Sequence, residues 1–262
     1  MLCFPQLLTG AVSSFPVVRS QRRRVVSLTL PGGDRWRVVD ERAGLRELEV
    51  HFSYLSEGER RALEEFFEAC EGRLRTFVFL EPGKNLLRQS VDLLADAWRR
   101  EARLAVTGGL LDPFGGTGAF RVVNLGQVVS GLWQELPVPG TYVYCFAVYV
   151  RSGRGQMRAW TERAETGQVI TGGPAWQRVS LPVSLGDASD PVRFGLFLQP
   201  GEALEVFGPQ VEAQIQCSEY QPTFDESGLH LEARFDDDRL VLVADGPGLY
   251  SGSVRIVSLA RV

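Results

Sequence analysis

The chain contains only two histidines, His51 and His230, and they limit the acid–base chemistry that the sequence can support. A serine or cysteine nucleophile needs a histidine base together with an acid that orients it. No Gly-x-Ser-x-Gly turn occurs, and both histidines alternate with apolar residues on predicted strands, which places them on polar, solvated faces. The sequence therefore predicts that this protein is not an enzyme.

Residues that could bind a metal or a phosphate are also few. The four cysteines lie far apart and form no Cys-x-x-Cys pair, so free thiols are expected rather than a zinc site or a redox motif. Asp236-Asp237-Asp238 offers oxygen ligands but lacks the spacing of an EF-hand, and a solvated turn is expected. The Gly115–Gly118 loop lacks the Gly-Lys-Ser/Thr ending of a phosphate-binding loop. No cofactor is predicted from these residues.

Length and charge restrict the class of protein further. A chain of 262 residues can form one or two domains with a full core. The formal net charge of −4 gives no reason to expect a polyanionic partner. No run approaches the roughly 18 apolar residues of a membrane span, and the first residues lack the pattern of a signal peptide. We expect no membrane association, no specific nucleic-acid binding and folding in a reducing cytoplasm.

The first third of the chain predicts strands around one helix. Glu47 to Tyr54 alternates polar and apolar residues, as in a strand with one buried face. Ser56 is a good N-cap, and Glu59 completes a capping box that starts a helix. Gly72 is placed to end that helix. The other predicted strands here are Arg22 to Leu30, Arg35 to Val39 and Arg73 to Leu80.

The rest of the chain is patterned almost entirely as strands. Between Ala102 and Gln216 the strands recur roughly every 10–15 residues, which is typical of a sandwich. Tyr142 to Val150 is apolar on both faces and predicts a central strand buried on both sides, whereas Leu86 to Trp98 predicts a short helix-like or irregular stretch. The three strands after residue 224 make a poor core alone, so they are expected to complete the sheet begun near the N-terminus. This predicts a discontinuous domain, residues 1–84 and 224–262, with residues 85–223 inserted.

The end of the predicted insert resembles a known module. Three runs rich in β-branched and aromatic residues, Trp176 to Leu181, Val192 to Leu198 and Val206 to Glu212, are followed by Glu219 to Thr223. Their order resembles the last strands of a jelly-roll module of the carbohydrate-binding type, which commonly occurs as an insert in phage tail proteins. The resemblance implies an antiparallel jelly-roll sandwich. Modules of this kind often hold one structural calcium, whose ligands the sequence does not identify.

The flanking segments resemble a second family. From Leu48 to Leu80 the order is strand, capped helix, apolar stripe and return strand, and the openings Phe4-Pro5 and Phe15-Pro16 precede a basic stretch. This pattern is similar to the N-terminal domain of distal tail proteins and related minor tail proteins of long-tailed phages. In that family a β-sandwich or split barrel with one packed helix forms a ring, usually a hexamer, between the tail tube and the baseplate. The resemblance implies a mainly β fold of that kind.

Within the inserted module, three tryptophans are the candidate glycan contacts, because a flat ring can cover the apolar face of a pyranose. They are Trp133, Trp160 and Trp176. Trp160 lies between Arg158 and Glu162 and is expected to be the most exposed. A role in packing is the alternative for all three.

Arg22, Arg23 and Arg24 form a basic cluster near the N-terminus. Such a cluster could contact phosphates of a nucleic acid, but it has no interleaved aromatic residues and belongs to no known binding motif. In a ring-forming protein these arginines are expected to pair with acidic faces of neighbouring subunits or of the tail tube. Plain solvation is the alternative.

Together these patterns favour a structural protein of a phage or phage-like tail tip. It is expected to be assembled in the host cytoplasm, to form a hexameric ring that joins the tail tube to the baseplate hub, and to carry an outward jelly roll that contacts host-surface polysaccharide. One alternative is a stand-alone carbohydrate-binding protein or adhesin, which should carry a secretion signal. Another is a glycosidase, which would need two opposed carboxylates that the sequence does not single out.

Overall fold

A computed structural model describes residues 2–188 and 191–259, without the side chains of residues 41–43. Within those residues the fold is mainly β, with two curled antiparallel sheets and one helix, which confirms the predicted class. The elements in chain order are β1 Ser14–Thr29, β2 Arg35–Leu55, α1 Glu57–Ala69, β3 Phe77–Leu80, β4 Arg99–Arg100, β5 Leu104–Leu110, β6 Ala119–Asn124, β7 Ser130–Leu136, β8 Val143–Trp160, β9 Glu165–Gly172, β10 Gln177–Ser184, β11 Val192–Leu198, β12 Ala203–Glu212, β13 Leu229–Phe235, β14 Leu242–Gly246 and β15 Leu249–Leu259.

The chain divides into two compact units. Unit 1 comprises the described residues within 1–7, 13–79 and 230–262, and unit 2 comprises those within 8–12 and 80–229. The predicted insert, residues 85–223, lies inside unit 2. Its identity as an inserted module, and that of unit 1 as a ring domain, stay predictions.

Unit 1 contains a six-stranded sheet in the order β1-β2-β15-β13-β3, with β14 paired to β15. The two strands predicted at Arg35 to Val39 and Glu47 to Tyr54 are parts of the single long strand β2. As far as β15 is described, to Leu259, its pairing with β2 covers Leu45 to Leu55. Residues 24–40 therefore form a two-stranded extension of the sheet in which, among the described residues, β1 and β2 pair with each other alone. We call residues 24–40 the arm.

The alternation of buried residues along β2 breaks at Tyr54. Leu48 and Phe52 are buried as the pattern predicts, but Tyr54 has φ +59° and is 76% exposed, and Leu55 is buried instead. A register shift against β15 lies at the same place. One extra residue in a strand turns the following side chain to the other face. The expectation that Tyr54 faces the core was therefore wrong.

Helix α1 begins as its sequence predicts. The Glu59 N–H donates to Ser56 Oγ at 3.3 Å, and the Ser56 N–H donates to Glu59 Oε2 at 2.8 Å, which completes the capping box. Gly72 adopts φ +60° just beyond the helix end. The next strand starts at Phe77 rather than at the predicted Arg73.

Arg73 instead binds the turn that was expected to be merely solvated. Its backbone N–H donates to Asp238 Oδ1 at 3.0 Å, and its Nε donates to Asp238 Oδ2 at 2.9 Å. These bonds to Arg73 lower the pKa of the Asp238 carboxyl. The Asp236-Asp237-Asp238 turn is therefore fixed to the segment that follows α1.

His230 was also expected on a solvated face, and this expectation was wrong. Its side chain is buried, with Nδ1 2.9 Å from Ser258 Oγ and the ring centroid 6.1 Å from that of Phe79. The residue lies near the start of β13, where its ring faces the core. His51 is half-buried on β2.

The four cysteines are free thiols, as the spacing predicts, and Cys70 at the end of α1 is fully buried. Burial raises the pKa of the Cys70 thiol from 9.0 to about 11. The pKa of Cys70 is thus higher in the folded state than in the unfolded chain. The stability that the protonated thiol contributes is therefore complete below pH 9.0 and is lost as the pH rises through about 11.

At about pH 8.5, where an ordinary thiol is half ionised, we expect iodoacetamide to alkylate half-exposed Cys3 but not Cys70 in the folded protein. Peptide mass spectrometry would measure both rates, and denaturant should expose Cys70. Equal rates at the two residues in the folded protein would contradict the burial of Cys70.

Unit 2 is a sandwich of two layers, and strand β8 belongs to both of them. Residues 143–150 of β8 pair with β10 and β12, whereas residues 153–160 pair with β9 and β11. Strands β6 and β5 extend the first layer, and β7 and β4 extend the second. The layers pack face to face, since the rings of Tyr144 and Phe146 lie 5.6 and 6.0 Å from that of Phe194.

The predicted central strand is confirmed in part of its length. Every residue from Tyr144 to Val148 is buried, and β8 pairs on both edges there, but the strand continues to Trp160. Leu86 to Trp98 forms turns without a helix, and the Gly115–Gly118 loop is a turn. Among the described residues, no helix is long and apolar enough to cross a membrane.

Candidate functional site

The outer face of the second layer is one part of unit 2 where aromatic and charged side chains meet. Along β11, Phe194 and Leu196 point into the core, so Gly195 and Phe197 point outward. The strand register sets Trp133 of β7 opposite Gly195 on one side and Arg158 of β8 opposite it on the other. Three strands thus bring their outward residues into one patch.

Two glycines make room for an aromatic ring on this face. A Cβ at Gly131 would lie 2.4 Å from Phe197 Cδ1, and a Cβ at Gly195 would lie 2.7 Å from Trp133 Cβ and 3.2 Å from Phe197 Cε2. The Phe197 ring therefore rests over backbone that carries no side chains. Replacing either glycine would displace the ring or open the strands.

The three aromatic side chains contact one another and are each half-buried. Trp133 is stacked with Phe197 at 6.3 Å between centroids and 14° between planes, and Trp160 meets Phe197 edge-on at 5.4 Å and 71°. Trp160 also lies edge-on to Trp133 at 6.2 Å. The Trp133 Nε1–H is buried without an acceptor among the described residues. An indole N–H is a hydrogen-bond donor only, so this group can still donate to an acceptor.

Charged groups surround the rings. The Arg158 guanidinium lies 4.7 Å above the Phe197 ring, donates from Nε to Gln156 Oε1 at 2.9 Å, and lies 3.5 Å from Glu165. On the other side, Glu101 Oε2 accepts a hydrogen bond from the Gly131 N–H at 2.8 Å. The side chains of Arg158 and Glu101 are thus held in place by other groups of the protein.

These side chains enclose a pocket of about 210 Å³. Pockets for drug-sized ligands usually measure about 300–1,000 Å³, so this one accommodates a single ring-sized group. We call it the aromatic pocket. Its lining residues are Glu101, Trp133, Arg158, Trp160, Glu165 and Phe197.

The structure brings together two of the three tryptophans selected from the sequence. Trp133 and Trp160 both line the aromatic pocket. Trp176 does not, because it precedes β10 in the other layer, where its Nε1–H donates to the Leu111 carbonyl at 3.2 Å and Arg151 covers its ring at 4.6 Å. All three tryptophans are half-buried, so the expectation that Trp160 is the most exposed of them stays a prediction.

Sequence reasoning missed the other lining residues. Phe197 carried a usable signal, since it shares the outward face of β11 with Arg193, and an aromatic residue on a polar strand face is unusual. No feature of the sequence marked Glu101 or Glu165 as lining residues. Strand pairing and a loop bring these two residues to the pocket, and no pattern in the neighbouring sequence predicts that placement.

The basic cluster lies on β1 in unit 1. Arg22 pairs with Glu47 at 2.8 Å, and Arg24 pairs with Asp40 at 3.9 Å. Two of these arginines are thus paired within their own hairpin, while Arg23 forms no ion pair within the described residues. Their use in contacts between subunits stays a prediction.

The resemblance to a jelly-roll module implied one structural calcium as the only metal. Within residues 2–188 and 191–259, no three His, Cys, Asp or Glu side chains are grouped so that they could hold a metal ion. The calcium stays an untested expectation.

No protein-family model matches the chain, and no curated protein matches it. Several solved structures are similar to part of it. The C-terminal family 22 carbohydrate-binding module of Clostridium thermocellum Xyn10B is 13% identical with a TM-score of 0.41, covering 52% of this chain and 98% of the module. The enzymatically active domain of bacteriophage CBA120 tailspike protein 4 is 10% identical with a TM-score of 0.38, covering 47% of this chain. The chain spans only 20% of that tailspike structure and 27% of a Clostridium thermocellum xylanase that contains a family 22 module.

Proposed function

We propose that unit 2 binds a polysaccharide by seating one sugar ring in the aromatic pocket, and that the chain is a structural protein of a phage or phage-like tail tip. The observation that carries the binding proposal is the convergence of Trp133, Trp160 and Phe197 from three strands around one small pocket. Aromatic faces with a few fixed polar groups are the usual composition of a ligand site.

The chemistry of the pocket suits a sugar. A pyranose has an apolar face of C–H groups, which an aromatic ring can cover, and a rim of hydroxyls, which need hydrogen-bond partners. Glu101 and Glu165 supply acceptors, and Arg158 supplies donors, all within the pocket lining. Hydrogen bonds to charged groups are roughly twice as strong as neutral ones. The pocket volume limits this contact to one ring of a longer chain.

A glycosidase is the second candidate, because two carboxylates line the pocket. We propose binding without hydrolysis. Glu101 is already bonded to the Gly131 N–H, and Glu165 lies beside Arg158. Both carboxylates are thus engaged by groups of the protein, whereas a glycosidase needs carboxylates placed to act on the scissile bond. Release of reducing ends from any bound polysaccharide, abolished by Glu165→Gln, would replace the binding proposal by the enzymatic one.

Binding is tested by comparing Trp160→Ala with Trp176→Ala, which removes the same side chain from the other layer. We expect Trp160→Ala to weaken binding at least about tenfold, as loss of a central aromatic anchor does, while Trp176→Ala leaves the affinity near wild type. The probes are a glycan array with xylo- and galacto-oligosaccharides and purified bacterial surface polysaccharide. Affinities of the ligands that bind are then measured by calorimetry.

Three results would count against the pocket. They are no binding of any probe by the wild-type protein, equal loss in both variants, and an unchanged affinity of Trp160→Ala. Thermal melting of each variant separates lost binding from lost folding.

The assembly part of the proposal rests on the order of elements from Leu48 to Leu80, which resembles that of distal tail proteins, and on the exposed arm of unit 1. In this proposal the chain forms a ring, contacts the tail tube and the baseplate hub, and is located at the virion tail tip. A stand-alone carbohydrate-binding protein or adhesin is the alternative. Light scattering after size exclusion discriminates the two, since the alternative predicts a monomer.

A further inference from the structure

The outer face of the first layer of unit 2 buries a cysteine. Along β8, the rings of Tyr144 and Phe146 point between the layers, where both contact Phe194, so Cys145 points outward. Cys145 is nevertheless only 1% exposed. Another part of the chain therefore covers it.

The covering part is the segment that follows β12, residues 213–221, which we call the strap. Glu212, the last residue of β12, lies opposite Cys145 in the strand register and so shares its face. Glu212 Oε1 accepts hydrogen bonds from the Ser218 N–H at 2.8 Å and from Ser218 Oγ at 3.1 Å. Gln210 Oε1 accepts another, at 2.7 Å, from the last backbone N–H of the strap. These bonds hold the strap across the outer face beside Cys145.

The strap places Cys217 against Cys145. The thiol and the backbone N–H of Cys217 both donate hydrogen bonds to the Cys145 sulfur. Cys217 is half-buried, whereas Cys145 is buried. The two sulfurs are thus in contact, although strands β9 to β12 separate them in sequence.

The surroundings favour a thiolate on Cys145 rather than on Cys217. The hydrogen bond from the Cys217 thiol lowers the pKa of the Cys145 thiol, and the Arg178 guanidinium lowers it further, whereas burial and the charge of Glu212 raise it. The hydrogen bond to Cys145, together with burial, raises the pKa of the Cys217 thiol. Arg178 Nε and Nη2 are buried without an acceptor among the described residues, and a positive charge beside a cysteine favours the thiolate, which is its reactive form.

We propose that Cys145 and Cys217 form a disulfide that ties the strap to β8 when the protein meets an oxidising environment. In a reducing cytoplasm the pair stays as two thiols. The bond joins two parts of unit 2 and is independent of glycan binding and of assembly.

The oxidant is a small disulfide such as oxidised glutathione. The half-buried Cys217 releases its proton to water, and its sulfur attacks one glutathione sulfur and expels the first glutathione as a thiolate. The Cys145 thiolate then attacks the Cys217 sulfur and expels the second glutathione. The two cysteines lose two protons and two electrons, and the small disulfide takes up both electrons.

The first test incubates the reduced, folded protein with oxidised glutathione, alkylates the remaining thiols and maps the peptides by mass spectrometry. We expect a cross-link between the Cys145 and Cys217 peptides of one chain. Cys3→Ser, the matched change at the other half-buried cysteine, should leave this cross-link unchanged. Glutathione that stays attached to Cys217, a cross-link to Cys3 instead, or no oxidation of the pair would overturn the proposal.

The second test measures thermal melting with and without oxidised glutathione. A disulfide that closes a long loop constrains the unfolded chain, so we expect the melting temperature of the wild type to rise by at least about 5 °C on oxidation. Cys217→Ser cannot form the bond, and its melting temperature should be the same in both conditions. Each protein is compared with itself, so a change in stability caused by the substitution does not affect the result. An equal shift in both proteins, or no shift in the cross-linked wild type, would contradict a bond that ties the strap to β8.

Discussion

Replacing Gly153 by alanine is expected to prevent unit 2 from folding. Gly153 has φ +125°, and a Cβ there would lie 1.9 Å from the Ala203 carbonyl oxygen and 2.8 Å from its carbon. Both atoms belong to backbone that is paired in the sandwich, so neither can move aside without breaking strands. Backbone strain and a steric clash act together here, and we expect a loss of more than about 4 kcal/mol.

The effect is large because of where this glycine lies in β8. Residues before it pair in the first layer, and residues after it pair in the second. Ser152, with φ +48°, and Gly153 thus form the bend through which one strand serves both layers. The second half of β8 carries Arg158 and Trp160, so the same bend positions the aromatic pocket.

Gly173→Ala is the matched control, since a Cβ at Gly173 meets nothing within 4 Å. Soluble yield, circular dichroism and thermal melting would compare the two variants. We expect Gly173→Ala to stay within about 0.5 kcal/mol of wild type. If both variants melt together with wild type, the bend in β8 is not as tight as described.

The second large effect is expected from Phe4→Ala, which should destabilise unit 1 by about 3–5 kcal/mol. Phe4 is fully buried, and its backbone N–H donates to the Val78 carbonyl at 2.9 Å. Its ring fills the centre of an aromatic cluster, and removing it leaves a cavity that surrounding rings cannot close. The ring centroids within 6.3 Å of it are those of Phe52, Phe66, Phe77, Phe79 and Phe235.

Denaturant unfolding followed by circular dichroism would measure this loss. Leu74→Ala removes an apolar side chain that is 63% exposed in the same unit and should change stability by less than about 0.5 kcal/mol. A loss below about 1 kcal/mol for Phe4→Ala would mean that the N-terminal segment is not part of the core. The sequence pattern marked Phe4 only through the resemblance of the opening residues, because an isolated residue before a proline has no periodicity.

In the proposed function, glycan binding and assembly belong to different units of the chain. The aromatic pocket is built entirely from unit 2 residues, and the arm belongs to unit 1. Variants of Trp160 should therefore leave assembly unchanged. A single oligomeric protein with both properties would present several sugar sites at once, and linked weak sites bind a polymer far more tightly than one site does.

Features that depend on neighbours in sequence could be predicted from the sequence alone. The capping box at Ser56 and Glu59, the hairpin of β1 and β2, and the buried centre of β8 follow from local hydrogen bonding and from residue alternation. The tertiary structure decided the rest. Tyr54 points outward because one extra residue shifts the register against β15, and His230 is buried because its face of β13 packs on Phe79.

The aromatic pocket shows the same division. Composition and resemblance selected Trp133 and Trp160 as candidate sugar contacts but selected Trp176 equally. Only the pairing of β7, β11 and β8 brings the first two beside Phe197 and leaves the third in the other layer. Residue type determines what chemistry a side chain can perform, whereas register between distant strands determines which side chains meet, because that register is set by packing over the whole sheet.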